Sequence, residues 1–336
     1  MTEGQAERGA EETPRVRFGV IGCADIAWRR MLPVLAADPG VRLAAVASRD
    51  AAKAARFAAR FGCAPVTGYD TLLAASDVDA VYVPLPAMLT AGWIEKALLA
   101  GKHVLAEKPL TASHESTARF VDLARARGLV LLENIAFPHH AQHAAVRKLL
   151  ADGAVGELRG FSSTFTIPPL PDANIRYRPD VGGGALLDMG VYPIRAALEI
   201  LGLDLEIAGA VLRHGPTGAV VSGRILAHTP HGVTAGLDFG MEHSYRTAYE
   251  IAGSTGRLIV DRAFTPPPAH QPVVRIERQD HREEITLRAD DQFANLVASF
   301  VRAVRTGGGA QAHTHATLHQ ARLVGAVEEK AVRLTP

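Results

Sequence analysis

Apolar positions in the first part of the chain fall in short continuous runs separated by stretches of helical spacing. Val16-Arg17-Phe18-Gly19-Val20-Ile21 is the first run; it stops at Gly22, which predicts a strand entering a tight turn. Ile26 to Ala37 follows with helical spacing, and Asp38-Pro39-Gly40 ends it. Val41 to Ala47 predicts a second strand, and Asp50 stands as the N-cap of an Ala-rich helix over 51–61. Further strands are expected at Val78–Val83, His103–Ala106 and Leu129–Leu132, with helices near 69–75, 88–100 and 113–127. Strands apolar on both faces, alternating with helices, predict a parallel sheet covered on both sides. Residues 15–134 are therefore expected to form a doubly wound α/β domain of the Rossmann type.

The pattern changes after that point. A helix over 139–151 leads into a strand-like segment, Gly160 to Ile167, and then a Pro-rich loop at 168–181. Gly182-Gly183-Gly184 opens a helix running to about Leu201. From Glu206 to Leu287 short β-like segments follow one another with Gly, Pro and His-rich breaks, and helices near 290–305 and 315–332 close the chain. Residues 135–336 are thus expected to form an α+β domain with an open, mostly antiparallel sheet. Helices on one side only would leave an apolar sheet face, which predicts a homodimer or homotetramer. Thr265-Pro266-Pro267-Pro268 reads as a rigid connector, and residues 1–14, with little to bury, as a disordered tail.

Composition narrows the function. The 336 residues suit about two domains. With 48% hydrophobic and 21% charged residues, the bulk of the chain is expected to fold. Lys plus Arg is 36 and Asp plus Glu 35, a net charge of +1, which gives no support for nucleic-acid binding. Apolar stretches stop well short of the ~20 residues that cross a bilayer, so no membrane partner is expected. The acidic N-terminus lacks the apolar core of a signal peptide, and two cysteines make no disulfide framework. A reduced, cytoplasmic setting follows.

Gly22-Cys23-Ala24-Asp25-Ile26-Ala27, between the first strand and the first helix, approximates the dinucleotide fingerprint G-x-G-x-x-G/A with Ala24 for the second Gly. The turn must be tight, the backbone must approach a pyrophosphate, and a helix N-terminus must face the anion. Gly22, Cys23, Ala24, Asp25 and Ile26 are the expected cofactor contacts, with Cys23 a small loop residue rather than a nucleophile. Where the second strand ends, an NAD site usually offers an acid; here Ser48-Arg49 offers a hydroxyl and a guanidinium, which suits the 2′-phosphate of NADP(H). Lys53, a turn later, either adds charge near that phosphate or is solvated, whereas Asp50 fits the helix cap.

Ligands of open α/β sheets bind outside the carboxyl ends of the strands, where Pro84, Leu85, Glu107 and Lys108 fall. A ketone accepting hydride develops negative charge on oxygen, which a cation and a proton donor stabilise. Lys108 supplies the cation, and Pro109 after it suits a sharp, cis-compatible turn aiming it into the cleft. Asp188 and Tyr192, four residues apart, share a face of the helix opened by the glycines. Tyr192 is a protonated donor at neutral pH, its pKa expected to fall beside Lys108. The clusters His139, His140, His143 and His313, His315, His319 lack the other half of a zinc site, so no metal is expected.

The motifs Tyr82-Val83-Pro84-Leu85-Pro86, Ala106-Glu107-Lys108-Pro109-Leu110 and Gly182-Gly183-Gly184-Ala185-Leu186-Leu187-Asp188-Met189-Gly190-Val191-Tyr192-Pro193, with the fingerprint, resemble the glucose-fructose oxidoreductase / inositol dehydrogenase / MocA family over essentially 15–330. Within it, Val20 to Arg30, Phe165-Thr166-Ile167-Pro168-Pro169 and Glu277-Arg278-Gln279-Asp280-His281 look most like the NDP-sugar 3-ketoreductases of bacterial deoxysugar pathways. That resemblance implies NADPH-dependent reduction of the C3 keto group of a dTDP-3,4-diketo-2,6-dideoxy-hexose. It implies Tyr192 as proton donor, Arg176 at the cofactor, and Lys108, Asp188 and Tyr192 around the sugar, with Asp188 on a hydroxyl or capping backbone. Arg29 and Arg30 follow the fingerprint on the first helix, where Arg30 or its neighbour is expected to reach the nucleotide-sugar phosphate, the alternative being that both sit in solvent. Thr90 stands where the family usually has His. Two alternatives stay open: NAD-dependent oxidation of a free sugar or cyclitol, and a non-catalytic NADP-binding regulator.

Overall fold

The first half of the chain lays six parallel strands into one sheet, five of them built on the buried apolar runs. The computed structural model describes residues 14–336, so the tail expected over 1–14 lies, except for Pro14, outside the described residues. The strands are β1 (Val16–Ile21), β2 (Val41–Ser48), β3 (Ala64–Thr67), β4 (Ala80–Val83), β5 (His103–Glu107) and β6 (Leu131–Asn134), in the order β3-β2-β1-β4-β5-β6. The order reverses between β1 and β4, which opens a crevice beyond the carboxyl ends of those strands. A π-helical turn, Ala27–Met31, runs into α1 (Leu32–Ala37), and α2 (Ala51–Phe61) begins where the Asp50 carboxylate accepts Ala52 N–H at 2.9 Å and Lys53 N–H at 3.1 Å. Helices α3 (Tyr69–Ala74), α4 (Ala87–Leu99) and α5 (His114–Ala126) cover the opposite face, packing Leu72, Ile94, Leu98 and Phe120 on the sheet.

After α6 (Ala141–Ala151) comes β7 (Leu158–Thr166) and, past a loop, a π-helical turn, Leu186–Gly190, continuous with α7 (Val191–Leu201). Strands β8 (Glu206–His214), β9 (Val220–His228), β10 (Thr234–Gly240), β11 (Arg246–Gly253), β12 (Arg257–Asp261), β13 (Val273–Arg278) and β14 (His281–Thr286) follow, then α8 (Gln292–Thr306), α9 (Gln311–Lys330) and β15 (Ala331–Leu334). The second sheet runs β14-β13-β12-β11-β7-β10-β9-β8-β15, antiparallel except at β7–β10 and β8–β15. Its inner face packs Phe161, Phe165, Phe239 and Ile251 against Ile194 and Leu198 of α7 and Leu323 of α9.

Four features differ from the sequence expectation. The short strand β3 forms an exposed edge and contains Pro65, so no buried run announced it. The helix expected over 315–332 starts earlier, at Gln311, and its end is replaced by β15, which pairs with β8. The helix α8 returns to the first sheet, where Phe300 meets Phe18 with ring centroids 5.4 Å apart, so a late segment completes the first core. Lastly, the outer face of the second sheet is mixed: Val211, Leu226, Val332 and Leu334 are exposed beside the ion pair Arg224–Asp238 at 3.4 Å.

Candidate active site

Two glycines shape the entrance to the crevice. Gly22 turns β1 into the first helix with φ of 114°, and a Cβ there would meet Leu85 Cδ2 at 3.0 Å, so the turn keeps its backbone bare. Gly183 sits under the 168–181 loop, where a Cβ would lie 2.5 Å from the carbonyl oxygens of both Ile175 and Arg178. That close approach folds the loop onto the start of the Leu186–Gly190 turn and carries Arg176 over the cleft.

The cleft between the two sheets encloses about 480 Å³. The strand ends of the first sheet supply Pro84, Leu85, Glu107, Lys108 and Asn134, and the fingerprint supplies Ala24, Asp25 and Ile26. Arg176, Asp188, Tyr192 and Phe165 face them from the second half of the chain. The Lys108–Pro109 peptide is cis. The Lys108 ammonium forms an ion pair with the Asp188 carboxylate and donates to the Asp188 carbonyl at 2.7 Å. Arg176 Nε pairs with the other carboxylate oxygen. One carboxylate thus gathers both cations.

Charge follows from this arrangement. Burial opposes ionisation of Asp188, but Lys108 and Arg176 outweigh it and hold the carboxyl at about 2. Burial likewise works against the Lys108 ammonium, and Asp188 foremost reverses that and raises its pKa. Tyr192 goes the other way from expectation. Its ring packs against Phe137, Phe165 and Phe264 at centroid distances of 6.0, 4.9 and 5.7 Å. Desolvation exceeds the pull of Lys108, so the phenol is pushed up to about 12 rather than down. Lys108 Nζ lies 5.4 Å from the ring centroid.

Glu107 is half-buried and accepts the Tyr82 hydroxyl at 2.6 Å and Asn134 Nδ2 at 2.5 Å; desolvation pushes its carboxyl up. Asn134 Oδ1 is buried beside the cleft with no hydrogen-bond partner in the structure, an acceptor left for a bound donor. The sequence reading did not nominate Asn134, although its place at a strand end was the available signal. Phe293 and Thr265 also line the cleft, the latter from the loop read as a connector.

The remaining nominated residues lie around the cleft. Cys23 is buried with its thiol toward the Lys53 carbonyl at 3.8 Å. Ser48 is buried and accepts Asp50 N–H at 3.1 Å, while Arg49 and Lys53 are exposed past the end of β2. Arg30 is exposed and does not line the cleft, whereas Arg29 does, paired with Asp25, because the helix turns consecutive residues to different sides. Arg176, expected at the cofactor, is engaged by Asp188. Thr90 is fully buried, and its hydroxyl donates to the Leu85 and Pro86 carbonyls, each at 3.0 Å, which spends it on its own helix start. His139 and His313 from the two histidine clusters meet at 3.4 Å, and among the described residues no group of three or more His, Cys, Asp or Glu is placed to hold a metal.

Residues 16–135 match the family described as "Oxidoreductase family, NAD-binding Rossmann fold", and residues 143–259 match the "GFO/IDH/MocA C-terminal domain". The chain belongs to the GFO/IDH/MocA oxidoreductase family. Family relatives include a dTDP-3,4-didehydro-2,6-dideoxy-alpha-D-glucose 3-reductase from Streptomyces antibioticus, 58% identical over 314 residues, 93% of this chain and 96% of the relative. An enzyme of the same name from Actinomadura kijaniata is 56% identical over 97% of this chain and 98% of its own. The crystal structure of a 3-ketoreductase from Actinomadura kijaniata, solved with NADP and TDP-benzene, superposes with a TM-score of 0.94 at 55% identity, covering 96% of this chain and 99% of that one.

Proposed function

We propose that this protein is an NADPH-dependent reductase of the C3 keto group of a dTDP-3,4-diketo-2,6-dideoxy-hexose. The observation that carries this reading is the meeting of Lys108 and Tyr192, from the two halves of the chain, at one wall of the cleft. The relatives named above support the choice of sugar and of carbon atom.

The bare turn at Gly22 and the unpartnered Asn134 Oδ1 fit a dinucleotide with its nicotinamide end toward Lys108. Gly22, Cys23, Ala24, Asp25 and Ile26 would hold the pyrophosphate, Ser48, Arg49 and Lys53 the 2′-phosphate, and Pro84, Leu85, Glu107 and Arg176 the remainder. When bound, NADPH supplies a hydride. The protein's part is to stabilise the alkoxide at O3. Lys108, kept charged by Asp188, offers the cation. Tyr192, protonated at neutral pH, gives its proton to O3, and the phenolate left behind sits within the field of Lys108. Asp188 restrains Lys108 and Arg176, and would meet a sugar hydroxyl alongside them. Arg29, which lines the cleft where Arg30 does not, would meet the substrate diphosphate.

The protein is further proposed to act in the cytoplasm, in antibiotic deoxysugar biosynthesis, as a homodimer or homotetramer joined through the outer face of the second sheet. Cys23 and Cys63 are both free thiols, and no helix among the described residues is long and apolar enough to cross a membrane. The deciding experiment incubates the protein with NADPH and a dTDP-3,4-diketo sugar generated in situ and identifies the product. A 3-hydroxy-4-keto sugar with stoichiometric NADPH consumption is expected; absence of turnover, or turnover only of free polyols with NAD, would overturn the reading.

A further inference from the structure

A carboxylate outside the cleft joins the loop that carries Lys108 to the helix that carries Tyr192. Glu133, near the end of β6, has 1% relative exposure, and Arg195 on α7 has none. Glu133 Oε1 accepts Leu110 N–H at 3.0 Å, two residues beyond Lys108. Its Oε2 accepts Arg195 Nη1 at 3.4 Å, and Arg195 follows Tyr192 by three positions on the same helix. The Thr317 hydroxyl donates to Oε2 at 3.1 Å, and Gln320 Nε2 reaches the two oxygens at 3.0 and 3.2 Å, both from α9. Arg195 is held on its other side by Glu199 Oε1 at 3.0 Å and the His313 carbonyl at 3.4 Å.

One side chain therefore collects donors from the lysine loop, from α7 and from α9. A buried ion pair is a weak source of stability compared with apolar packing, but it tolerates few alternative geometries. Here the geometry it fixes is that between two halves of a reacting site. Lys108 and Tyr192 arrive on separate halves of the chain, and among the described residues, apart from the Lys108–Asp188 contact inside the cleft, Glu133 is the side chain that bonds to both supporting segments.

We infer that Glu133 is a positioning residue for the reduction, setting the register of Lys108 against Tyr192 through Leu110 and Arg195. The inference rests on the function proposed above. It predicts a defect in the chemical step of folded, cofactor-loaded molecules. A purely structural role predicts fewer folded molecules, each fully active.

The test is Glu133→Gln, which keeps the volume and an acceptor for Leu110 N–H but removes the charge facing Arg195. Rates are expressed per NADPH-binding site, titrated by NADPH fluorescence, so that any unfolded fraction drops out. A kcat per site lower by about 10–100-fold is expected, the scale of a misplacement of about 1 Å, with the NADPH Kd and the KM for the diketo sugar within about threefold of wild type. In a Tyr192→Phe background the same substitution should add little, because there is no donor left to position. A wild-type kcat per site, or a full additional loss in the Tyr192→Phe background, overturns the inference. Should Glu133→Gln fail to fold, Thr317→Val removes the hydroxyl that donates to Glu133 and accepts from Arg195 Nη1 at 3.3 Å, and is read by the same two measurements. Wild-type protein that reduces no diketo sugar overturns the proposed function and this inference with it, an outcome separate from an active wild type beside an unimpaired variant.

Discussion

The Lys108 ammonium lies 5.4 Å from the centre of the Tyr192 ring, toward its face. From there it lowers the phenol's pKa less than the surrounding phenylalanines raise it, and the net result is a proton held up to about 12. The pair is arranged to keep Tyr192 loaded with its proton in the resting state.

That arrangement fixes the alkaline behaviour. The kcat for reduction should stay level from neutral pH to about 10, so far as Tyr192 determines it. A pH–rate profile falling with an apparent pKa near 8 would mean that the lysine charge prevails. The Tyr192 contribution to stability, with a folded pKa of about 12 above the unfolded value of about 10, is complete below about pH 10 and is lost as pH rises through about 12.

Tyr192→Phe preserves the ring packing and removes only the donor. Its kcat should fall by about 10²–10⁴ while NADPH binding stays nearly unchanged. Lys108→Met should cost at least as much, and the double variant less than both losses combined. Near-full activity of Tyr192→Phe in steady-state assays would transfer the proton-donor role to Lys108 or water.

Asp188→Asn leaves Lys108 and Arg176 without their shared anion. Urea unfolding at neutral pH should show a loss of about 1.5–3 kcal/mol, the scale of charge-assisted hydrogen bonds. Because the folded pKa of about 2 lies below the unfolded carboxyl value, the Asp188 contribution is present above about pH 4 and is lost as pH falls through about 2. The stability gap between variant and wild type should close over that interval, and a gap that persists at pH 2 would point to a cause other than the charge.

Arg49→Asp reverses the exposed charge past the end of β2. The preference for NADPH over NADH should drop by about 1.5–3 kcal/mol, roughly 10–150-fold, in the ratio of kcat/KM values. An unchanged ratio would remove Arg49 from the cofactor site.

On the outer face of the second sheet, Leu226 is 53% exposed near Val211 and the Arg224–Asp238 pair. Leu226→Lys should shift the assembly toward smaller species in light scattering, with secondary structure unchanged by circular dichroism. A wild-type protein that is already monomeric at working concentration would refute assembly through this face.

Local chemistry was readable in the sequence because it depends on neighbours along the chain. The β1 run, the Asp50 cap and the shared face of Asp188 and Tyr192 each follow from spacing alone. What depended on distant segments was not readable. The phenylalanines that raise the Tyr192 pKa come from three separate stretches, around positions 137, 165 and 264. Glu133 and Arg195 are charged residues in apolar contexts, and spacing offers no hint that they meet 62 positions apart. The strand β15 continues a helix-forming stretch, and only its pairing with β8 makes it a strand.

The helix α9 gives the site an order of assembly. Lys108 and Tyr192 are both translated well before Gln311, yet Thr317 and Gln320, which steady the carboxylate between their segments, come only with α9. The Phe300 contact that completes the first core is equally late. A nascent chain paused before α9 holds every residue that touches the sugar in this scheme but lacks the frame that aligns them. Competence for turnover should thus appear as a late, abrupt event, when α9 docks, and not grow in step with the length of chain made.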